Sequence, residues 1–354
     1  MNQFSKTFIK AILFLSFGLI VLYFLYQHQN AAYIEECLKE GVAQGECNLL
    51  DKIIADFKSV KIVWIIVVIL FFMLSNLFRA LRWNQMLAPM GYYPRLLNSM
   101  AAIMIAYFSN LGLPRSGEVL RPATLSKYEN IPFDKLMGTI ILERAIDVLF
   151  LLISMTLVLV LAGDTMLTFF QENATIKENL WFLFEPMFWI GSIGLGLVGL
   201  YILFMSPVKN SKFVLKLRSF LMGIKEGVLS IAKLKNPILF YTYSVGIWVL
   251  YFLMTYVCFF AFFPTSHLGP VAGLVVFVFG TLGIVFPSPG GMGSYHWLVT
   301  ESLGFYNIGA ADGFSFANII FFSIQIFCNV FFGIISLILL PIINRNTINE
   351  PDQK

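Results

Sequence analysis

Apolar residues in this sequence are grouped into long blocks, with short polar connections between them. A helix that crosses the hydrocarbon core of a bilayer needs about 20 mostly apolar residues, and several blocks reach that length, so they predict membrane helices. The candidate blocks are 8–27, 60–82, 97–113, 136–162, 187–205, 237–263, 269–286 and 313–342.

The polar stretches between the blocks do not look like soluble domains. The two longest, 27–61 and 206–236, are interpreted as loops with short amphipathic helices. Hydrophobic residues make up 58% of the 354 and charged residues only 12%, against roughly 25% charged residues in a soluble globular protein. We predict an all-α polytopic membrane helix bundle that forms one integral membrane domain over residues 1–354.

The first apolar block follows Lys6 and Lys10, as the apolar core of a signal peptide does. The block is slightly long for such a core, and Ala31–Ala32 is a poor cleavage site. We therefore predict a retained signal-anchor helix.

Lys and Arg in the connections predict the orientation, because positively charged short loops stay in the cytoplasm. Connection 206–236 has seven Lys or Arg and one acid, and connection 79–96 has three Arg and no acid, so both are predicted inside. Connection 28–59 has six acids and three Lys, and connection 163–186 has four acids and one Lys, so both are predicted outside.

Eight full crossings are incompatible with these orientations. An odd number of crossings must separate connection 79–96 from connection 163–186, yet two apolar blocks lie between them. We predict that segment 97–134 enters from the cytoplasm and returns, and that segment 269–312 does the same from outside. The six full spans are then near 8–27, 60–82, 136–162, 187–205, 237–263 and 313–342, with both termini in the cytoplasm of a multi-pass protein of the cell (inner) membrane.

Each predicted re-entrant segment contains a break rich in Gly and Pro. Irregular backbone at membrane depth is tolerated only where protein or a water-filled cavity satisfies it, and paired interruptions in the two halves of a chain point to a transport site. The pairing is compatible with an inverted repeat, although no clear residue-level repeat is visible. The break residues are Asn110, Pro114, Gly117, Pro287, Pro289, Gly290, Gly291 and Gly293.

Three charged residues surround the first break: Arg115, Glu118 and Arg121. Ionisable groups within membrane segments are costly and usually mark function. Paired guanidinium groups bind phosphate well, and the helix that begins near Ser116 would add free N–H groups. A phosphate site is therefore favoured over the alternative, a cytoplasmic interfacial loop whose arginines contact lipid headgroups.

A second charged group, Glu143, Arg144 and Asp147, lies early in a long apolar helix. At helical spacing Arg144 reaches Asp147, and the acids need cationic partners because they are buried. Arg115 or Arg121 are the expected partners. A structural ion-pair network and direct substrate contact are equally compatible with this pattern.

Arg79 and Arg82 precede Trp83 at the end of the second block, where cytoplasmic interface anchoring is the favoured interpretation. His296 follows the second break and either titrates near neutrality or is a hydrogen-bonded structural residue, which is the commoner case. Cys37 and Cys47 flank a polar loop that is predicted outside, so a disulfide between them is a candidate. Cys258 and Cys328 lie in apolar runs and are predicted to be small buried side chains.

These motifs together resemble the flippase-like transmembrane family named for the membrane region of lysylphosphatidylglycerol synthases. The resemblance rests on four elements in matching order and covers nearly the whole chain. They are Arg79-Ala-Leu-Arg-Trp83, the Leu-Pro-Arg-Ser-Gly-Glu-x-x-Arg core ending at Arg121, Glu143-Arg-x-x-Asp147, and Pro-x-Pro-Gly-Gly-Met-Gly293.

The sequence departs from the family pattern in two ways. Relatives that synthesise aminoacylated lipid carry a soluble catalytic domain after the membrane region, and this chain is expected to be a stand-alone member without synthase activity. Many relatives also have Glu where this chain has His296, so a carboxylate role does not transfer to that position. The resemblance implies translocation of, or another role with, polar-headed lipids.

We therefore expect a flippase-like transporter of an anionic or lipid-linked lipid rather than an enzyme, with no metal or other cofactor. One alternative is a membrane-embedded transferase that acts on lipid-linked substrates through Glu143, Asp147 and His296. Another is a non-catalytic partner in envelope assembly. Expected partners are membrane lipids and no nucleic acid, with a homo-oligomer or envelope-biosynthesis enzymes as further candidates.

Overall fold

The computed structural model describes residues 16, 19–20, 22–31, 33–35, 37–38, 47–113, 115–172, 234, 236–285 and 289–345. Within these ranges the chain forms helices and turns and no β-strand, which confirms the all-α prediction. The helices are α1 (Leu49–Ser59), α2 (Ile62–Leu87), α3 (Leu96–Gly112), α4 (Gly117–Glu129), α5 (Phe133–Glu172), α6 (Pro237–Phe259), α7 (Pro270–Val285), α8 (Ser294–Gly304), α9 (Ala310–Phe321) and α10 (Asn329–Ile343).

Four helices of the described chain are long and apolar enough to cross a bilayer: α2, α5, α6 and the continuous helix formed by α9 and α10. A π-helical stretch, Phe322–Cys328, joins α9 to α10 without a break. These four helices overlap the predicted spans 60–82, 136–162, 237–263 and 313–342. Predicted span 187–205 lies outside the described residues, as does part of predicted span 8–27.

Two pairs of shorter helices occupy the predicted re-entrant segments. The first hairpin consists of α3 and α4, and the second consists of α7 and α8. Their helices contain 11 to 17 residues, or about 16–26 Å at 1.5 Å per residue. The hydrocarbon core is about 30 Å thick, so none of the four matches a full crossing.

The two hairpins are closed by similar local interactions. In the first, Ser116 Oγ donates to the carbonyl oxygen of Ser109 at 3.0 Å, and a Cβ on Gly117 would fall against the backbone of Ala106. In the second, Ser294 Oγ donates to the carbonyl oxygen of Gly283 at 2.7 Å. A Cβ on Gly283 would lie 2.6 Å from the backbone of α8. Small residues therefore bring the two helices of each hairpin into direct backbone contact.

The first hairpin opens toward the end of the molecule where α2 and α10 finish, which we call the Asn98 end. Asn98 Nδ2 donates to Asn344 Oδ1 at 2.9 Å, just beyond α10, and also to Glu129 Oε1 at 2.5 Å, at the end of α4. Asn84 Nδ2, near the end of α2, donates to the carbonyl oxygen of Pro94 at 3.0 Å. Both ends of the first hairpin therefore lie beside the last turns of α2 and α10.

The second hairpin opens toward the opposite end, which we call the Lys61 end. The Lys61 N–H, just before α2, donates to the carbonyl oxygen of Ala261, just after α6, at 2.9 Å. The second hairpin begins at Pro270 soon after α6. At the tips, Leu111 of the first hairpin lies against Gly290 of the second, since a Cβ on Gly290 would be 3.2 Å from Leu111 Cδ2. The hairpins thus enter from opposite ends and meet inside the molecule.

The amphipathic helix α1 lies at the Lys61 end, within the polar stretch 27–61. Asn48 caps its start by accepting from the Leu50 N–H at 2.9 Å. Lys52 bridges Asp56 at 2.9 Å and Asp312 of α9 at 2.5 Å. Burial lowers the pKa of Lys52, but the hydrogen bonds with Asp312 and Asp56 outweigh it and raise the pKa above its usual value. This ion pair fixes α1 to the start of α9.

All four cysteines are buried, two of them in the apolar core and two in the stretch that precedes α1. Cys258 and Cys328 are fully buried in the apolar core, as predicted. Cys37 and Cys47 are also buried, 6% and 4% exposed, but the structure contains no disulfide between them, which departs from the predicted bond. Burial and a hydrogen bond with Cys37 raise the pKa of Tyr33 to about 12, so the Cys37 thiol contacts a phenol here.

Candidate functional site

Three helices bring six charged side chains together between the first hairpin and the long helices. Arg79 and Arg82 are three residues apart and share one face of α2. Arg121 projects from α4, and α5 supplies the remaining three side chains. We call this group the arginine–carboxylate cluster, and its members are Arg79, Arg82, Arg121, Glu143, Arg144 and Asp147.

Glu143 lies at the centre of the cluster. Its carboxylate is fully buried and lies 2.9 Å from Arg121 Nη1. Arg79 Nε is 3.3 Å away, Arg82 Nη2 is 3.4 Å away and Arg144 Nη2 is 3.6 Å away. Glu143 therefore partly neutralises four guanidinium groups on three helices, and it links α2, α4 and α5 electrostatically.

Asp147 forms the second, more open part of the cluster. It lies one helical turn after Glu143 and contacts Arg82 and Arg144 at 3.3 Å each and Arg79 at 3.5 Å. Its side chain is 14% exposed and that of Arg144 is 43% exposed, whereas the side chain of Arg82 is 0% exposed. The cluster therefore has one accessible edge, at Arg144 and Asp147.

Aromatic side chains surround the arginines. Arg79 Nη1 donates to the Tyr107 hydroxyl, and its guanidinium carbon lies 5.6 and 5.7 Å from the ring centres of Tyr107 and Tyr251. Arg121 lies over the Trp83 ring at 4.0 Å, and Trp83 Nε1 donates to Thr139 Oγ1 at 2.8 Å. Cations held against ring faces gain electrostatic stabilisation where water is excluded.

Several buried N–H donors of the cluster have no hydrogen-bond acceptor among the described residues. They are Arg79 Nε, Arg82 Nε, Arg121 Nε and Arg121 Nη2, and both carboxylate oxygens of Glu143 also lack a hydrogen bond by the same criteria. Arg82 uses its other nitrogens for Ser244 Oγ at 3.3 Å and Asp147 at 3.3 Å. Native proteins satisfy nearly all buried polar groups, so these donors of Arg82 and Arg121 are candidates for binding the acceptor oxygens of a ligand, whereas Arg79 Nε lies 3.3 Å from Glu143.

The cluster lies inside the molecule rather than at a helix end. Arg82 is five residues before the end of α2, and Glu143 is ten residues after the start of α5. These spacings correspond to roughly 8 and 15 Å along the helix axes. The cluster therefore lies well below the surface at the Asn98 end.

The structure changes the predicted roles of several arginines. Arg79 and Arg82 are only 5% and 0% exposed, so the favoured interpretation of interface anchors was wrong. The reason is that α5 supplies carboxylates at their depth, which the sequence of α2 alone does not indicate. Arg121 pairs with Glu143, one of the two pairings expected, and Arg144 reaches Asp147 at the expected spacing.

Arg115 does not join the cluster. Its side chain is exposed, and its backbone has a φ of 62°, a left-handed conformation that is uncommon for residues other than Gly. In the described chain it forms no ion pair with Glu143 or Asp147, so that expected pairing is wrong. Glu118 is half-buried and forms no ion pair within the described ranges, and Pro114 lies outside them.

His296 lies in the first turn of α8, just after the second break. His296 is 1% exposed and lies against the ring of Phe321 at 4.5 Å between centres. Its Nδ1 accepts from the Gly293 N–H at 3.4 Å. These contacts match the commoner of the two sequence-based interpretations. Left-handed φ values at Gly290, Gly291 and Gly293 form the turn, and Pro287 lies outside the described residues.

Sequence reasoning missed Tyr107, Tyr251 and Ser244. Tyr107 lies in block 97–113, and Ser244 and Tyr251 lie in block 237–263 among several other Tyr and Thr residues. In that setting tyrosine is as typical of packing as of recognition. A helix-face comparison of α3 and α6 with the charged positions of α2 and α5 would have been needed to find them.

A protein-family model described as the lysylphosphatidylglycerol synthase TM region matches residues 49–333. No curated protein matches the chain, and no solved structure does. The match contains both hairpins and every member of the arginine–carboxylate cluster. Together with the apolar helices long enough to cross a bilayer, it identifies a multi-pass membrane protein with a lipid-related role. The chain belongs to the lysylphosphatidylglycerol synthase TM region family.

Proposed function

We propose that this protein translocates a polar-headed lipid across the cell membrane, with the headgroup held at the arginine–carboxylate cluster. The observation that carries the proposal is the buried set of arginines with free N–H donors, reached from one accessible edge. A charged headgroup in hydrocarbon faces a penalty of order tens of kcal/mol. Guanidinium donors inside the bundle would replace the water that the headgroup gives up.

The arrangement of the hairpins supports the same function. They open at opposite ends of the molecule and meet where Leu111 contacts Gly290. Broken helices that meet near the middle of a membrane protein are a feature of transport sites. We propose that the Asn98 end faces the cytoplasm and the Lys61 end faces outward, as the charges of the connections predict.

This placement predicts a labelling pattern for single cysteines in a cysteine-free background. Arg95 and Lys127 flank the first hairpin, His267 and Ala310 flank the second, and all four are exposed. Cysteines at the first two positions should react with an impermeant maleimide only from the cytoplasmic side, and those at the other two only from outside. If Arg95→Cys and Lys127→Cys were labelled from opposite sides, segment 97–134 would cross the membrane once instead of entering and returning.

The transferase alternative is less compatible with the site. A general base must have a free carboxylate or imidazole in reach of its substrate. Glu143 is fully buried and contacts four arginines, and the described contacts of His296 are aromatic and backbone groups. These surroundings favour binding and charge compensation over proton transfer.

Translocation is tested by reconstitution in liposomes that contain a fluorescent phospholipid with a labelled acyl chain. An impermeant reductant bleaches only the outer leaflet unless the protein moves lipid outward. The wild type should bleach the inner-leaflet pool as well. Arg121→Gln should slow this phase roughly 10- to 100-fold, because one charge-assisted hydrogen bond is worth about 1.5–3 kcal/mol.

Arg95→Gln is the matched control, since Arg95 is an exposed arginine at the same end and outside the cluster. It should translocate lipid at the wild-type rate. Equal rates for wild type and Arg121→Gln would contradict the proposed headgroup site. Bleaching confined to the outer leaflet with folded wild-type protein would contradict translocation itself.

A further inference from the structure

We infer that the arginine–carboxylate cluster selects lipids by headgroup charge, and that it favours a dianionic phosphate, as in a phosphomonoester or diphosphate, over a monoanionic phosphodiester. Headgroups with net positive charge are excluded. The inference rests on the proposed function, because it takes the cluster as the headgroup site, and it adds the chemical class of the lipid.

The first argument is the charge balance. The cluster contains four arginines and two carboxylates, so four minus two leaves two positive charges in excess. Arginine cannot be deprotonated in proteins. Within the described chain, no third carboxylate lies within 4.0 Å of these guanidinium groups. A buried uncompensated charge is costly, so a ligand with two negative charges would balance the cluster.

The second argument is the set of unused donors. Arg82 Nε, Arg121 Nε and Arg121 Nη2 are buried and have no acceptor in the described part of the chain. Arg82 and Arg121 are 0% and 4% exposed. A phosphate monoester presents three strong acceptor oxygens, whereas a diester has only two that are not bonded to carbon. A monoester therefore offers these buried donors more acceptor oxygens than a diester does.

The third argument concerns access and exclusion. The accessible edge is formed by Arg144, 43% exposed, beside Asp147, 14% exposed. An incoming anion would first meet the Arg144 guanidinium and then the buried arginines. A headgroup that carries ammonium groups would bring like charge to the excess of guanidinium, and such juxtaposition is strongly unfavourable at a desolvated interface. The aminoacylated, net cationic lipid after which the family is named is such a headgroup.

The test is a binding comparison on the full-length wild-type protein in detergent, read by native mass spectrometry. The probes are short-chain phosphatidic acid, phosphatidylglycerol, phosphatidylcholine and lysylphosphatidylglycerol, with glycerol 3-phosphate as a soluble phosphomonoester. Phosphatidic acid should bind about tenfold more tightly than phosphatidylglycerol, and lysylphosphatidylglycerol should bind most weakly. Equal affinities, or tightest binding of lysylphosphatidylglycerol, would overturn the inference.

Arg144→Gln reduces the excess of positive charge in the cluster from two to one. The variant should fold, because the Arg144 side chain is partly exposed. It should lower the ratio of phosphatidic acid to phosphatidylglycerol affinity to about one, and Arg95→Gln should leave the ratio at the wild-type value. An unchanged ratio in Arg144→Gln would overturn the charge argument. If glycerol 3-phosphate bound as tightly as phosphatidic acid, the site would still recognise a phosphomonoester. Its ligand would then be a soluble anion rather than a lipid.

The outcome is separable from that of the liposome experiment. Lipid translocation without any preference for dianionic headgroups would contradict this inference and leave the proposed function standing. Preferential binding of phosphatidic acid without translocation would support this inference and contradict the proposed function, because the site would then bind a dianionic lipid without moving it.

Discussion

Glu143→Gln should destabilise the protein by about 3–5 kcal/mol, because removing one partner of a buried ion network leaves its other charges uncompensated. Glu143 contacts all four arginines of the cluster and is 0% exposed. Its loss would leave Asp147 as the one carboxylate within 4.0 Å of Arg79, Arg82 and Arg144 in the described chain, and it would leave Arg121 with none. The measurement is the temperature at which the monodisperse peak of detergent-solubilised protein is lost on size-exclusion chromatography.

Two further variants test whether the loss of charge at Glu143, rather than the substitution of a buried side chain as such, causes the destabilisation. Glu118→Gln removes a half-buried acid that forms no ion pair within the described residues, and it should leave the transition temperature near that of the wild type. The double variant Glu143→Gln/Arg121→Gln restores the charge excess to two, so it should be more stable than Glu143→Gln alone. A Glu143→Gln protein as stable as Glu118→Gln would show that the cluster contributes nothing to the folded state.

Gly117→Ala should open the first hairpin and slow lipid translocation. A Cβ at Gly117 would fall against the carbonyl group of Ala106 and 2.9 Å from Asn110 Oδ1, which accepts the Gly117 N–H at 2.8 Å. Backbone atoms cannot move aside as a flexible side chain can, so we expect a destabilisation of about 1–3 kcal/mol. The displacement of α4 would also move Arg121 away from Glu143. The measurements are the same thermal transition and the liposome bleaching rate.

Gly138→Ala is the matched control for this change. Gly138 lies in α5, and a Cβ there would meet nothing within 4 Å. Because Ala is favoured over Gly within a helix by about 0.5–1 kcal/mol, this variant should be equally or more stable and should translocate lipid normally. If Gly117→Ala were as stable and as active as Gly138→Ala, close contact between α3 and α4 would not be required.

The sequence predicts those parts of the fold that depend on local pattern. Block lengths predict the long helices α2, α5, α6 and α9–α10, and the Gly and Pro residues predict where the two hairpins turn. These features follow from chain geometry and from the cost of exposing backbone to lipid, which act over neighbouring residues. Predicted span 187–205 and most of the connection that follows it lie outside the described residues.

Tertiary pairings could not be predicted in the same way. Arg79-x-x-Arg82 before Trp83 is equally typical of an interface and of a buried cluster, and only the position of Glu143 on another helix decides between them. The two arginines near the first break also looked equivalent, yet Arg121 is buried against Trp83 while Arg115 is exposed at the tip. The direction of a side chain after a turn depends on backbone dihedrals that the residue types do not determine.

The most direct test of the headgroup site is an experimental structure of the full-length protein in lipid nanodiscs that contain phosphatidic acid. We predict phosphate density within hydrogen-bond distance of Arg82 Nε and Arg121 Nη2, with its acyl chains leaving past Arg144 and Asp147. Ordered lipid confined to the outer surface of the bundle, with the cluster arginines contacting only protein or water, would contradict the account.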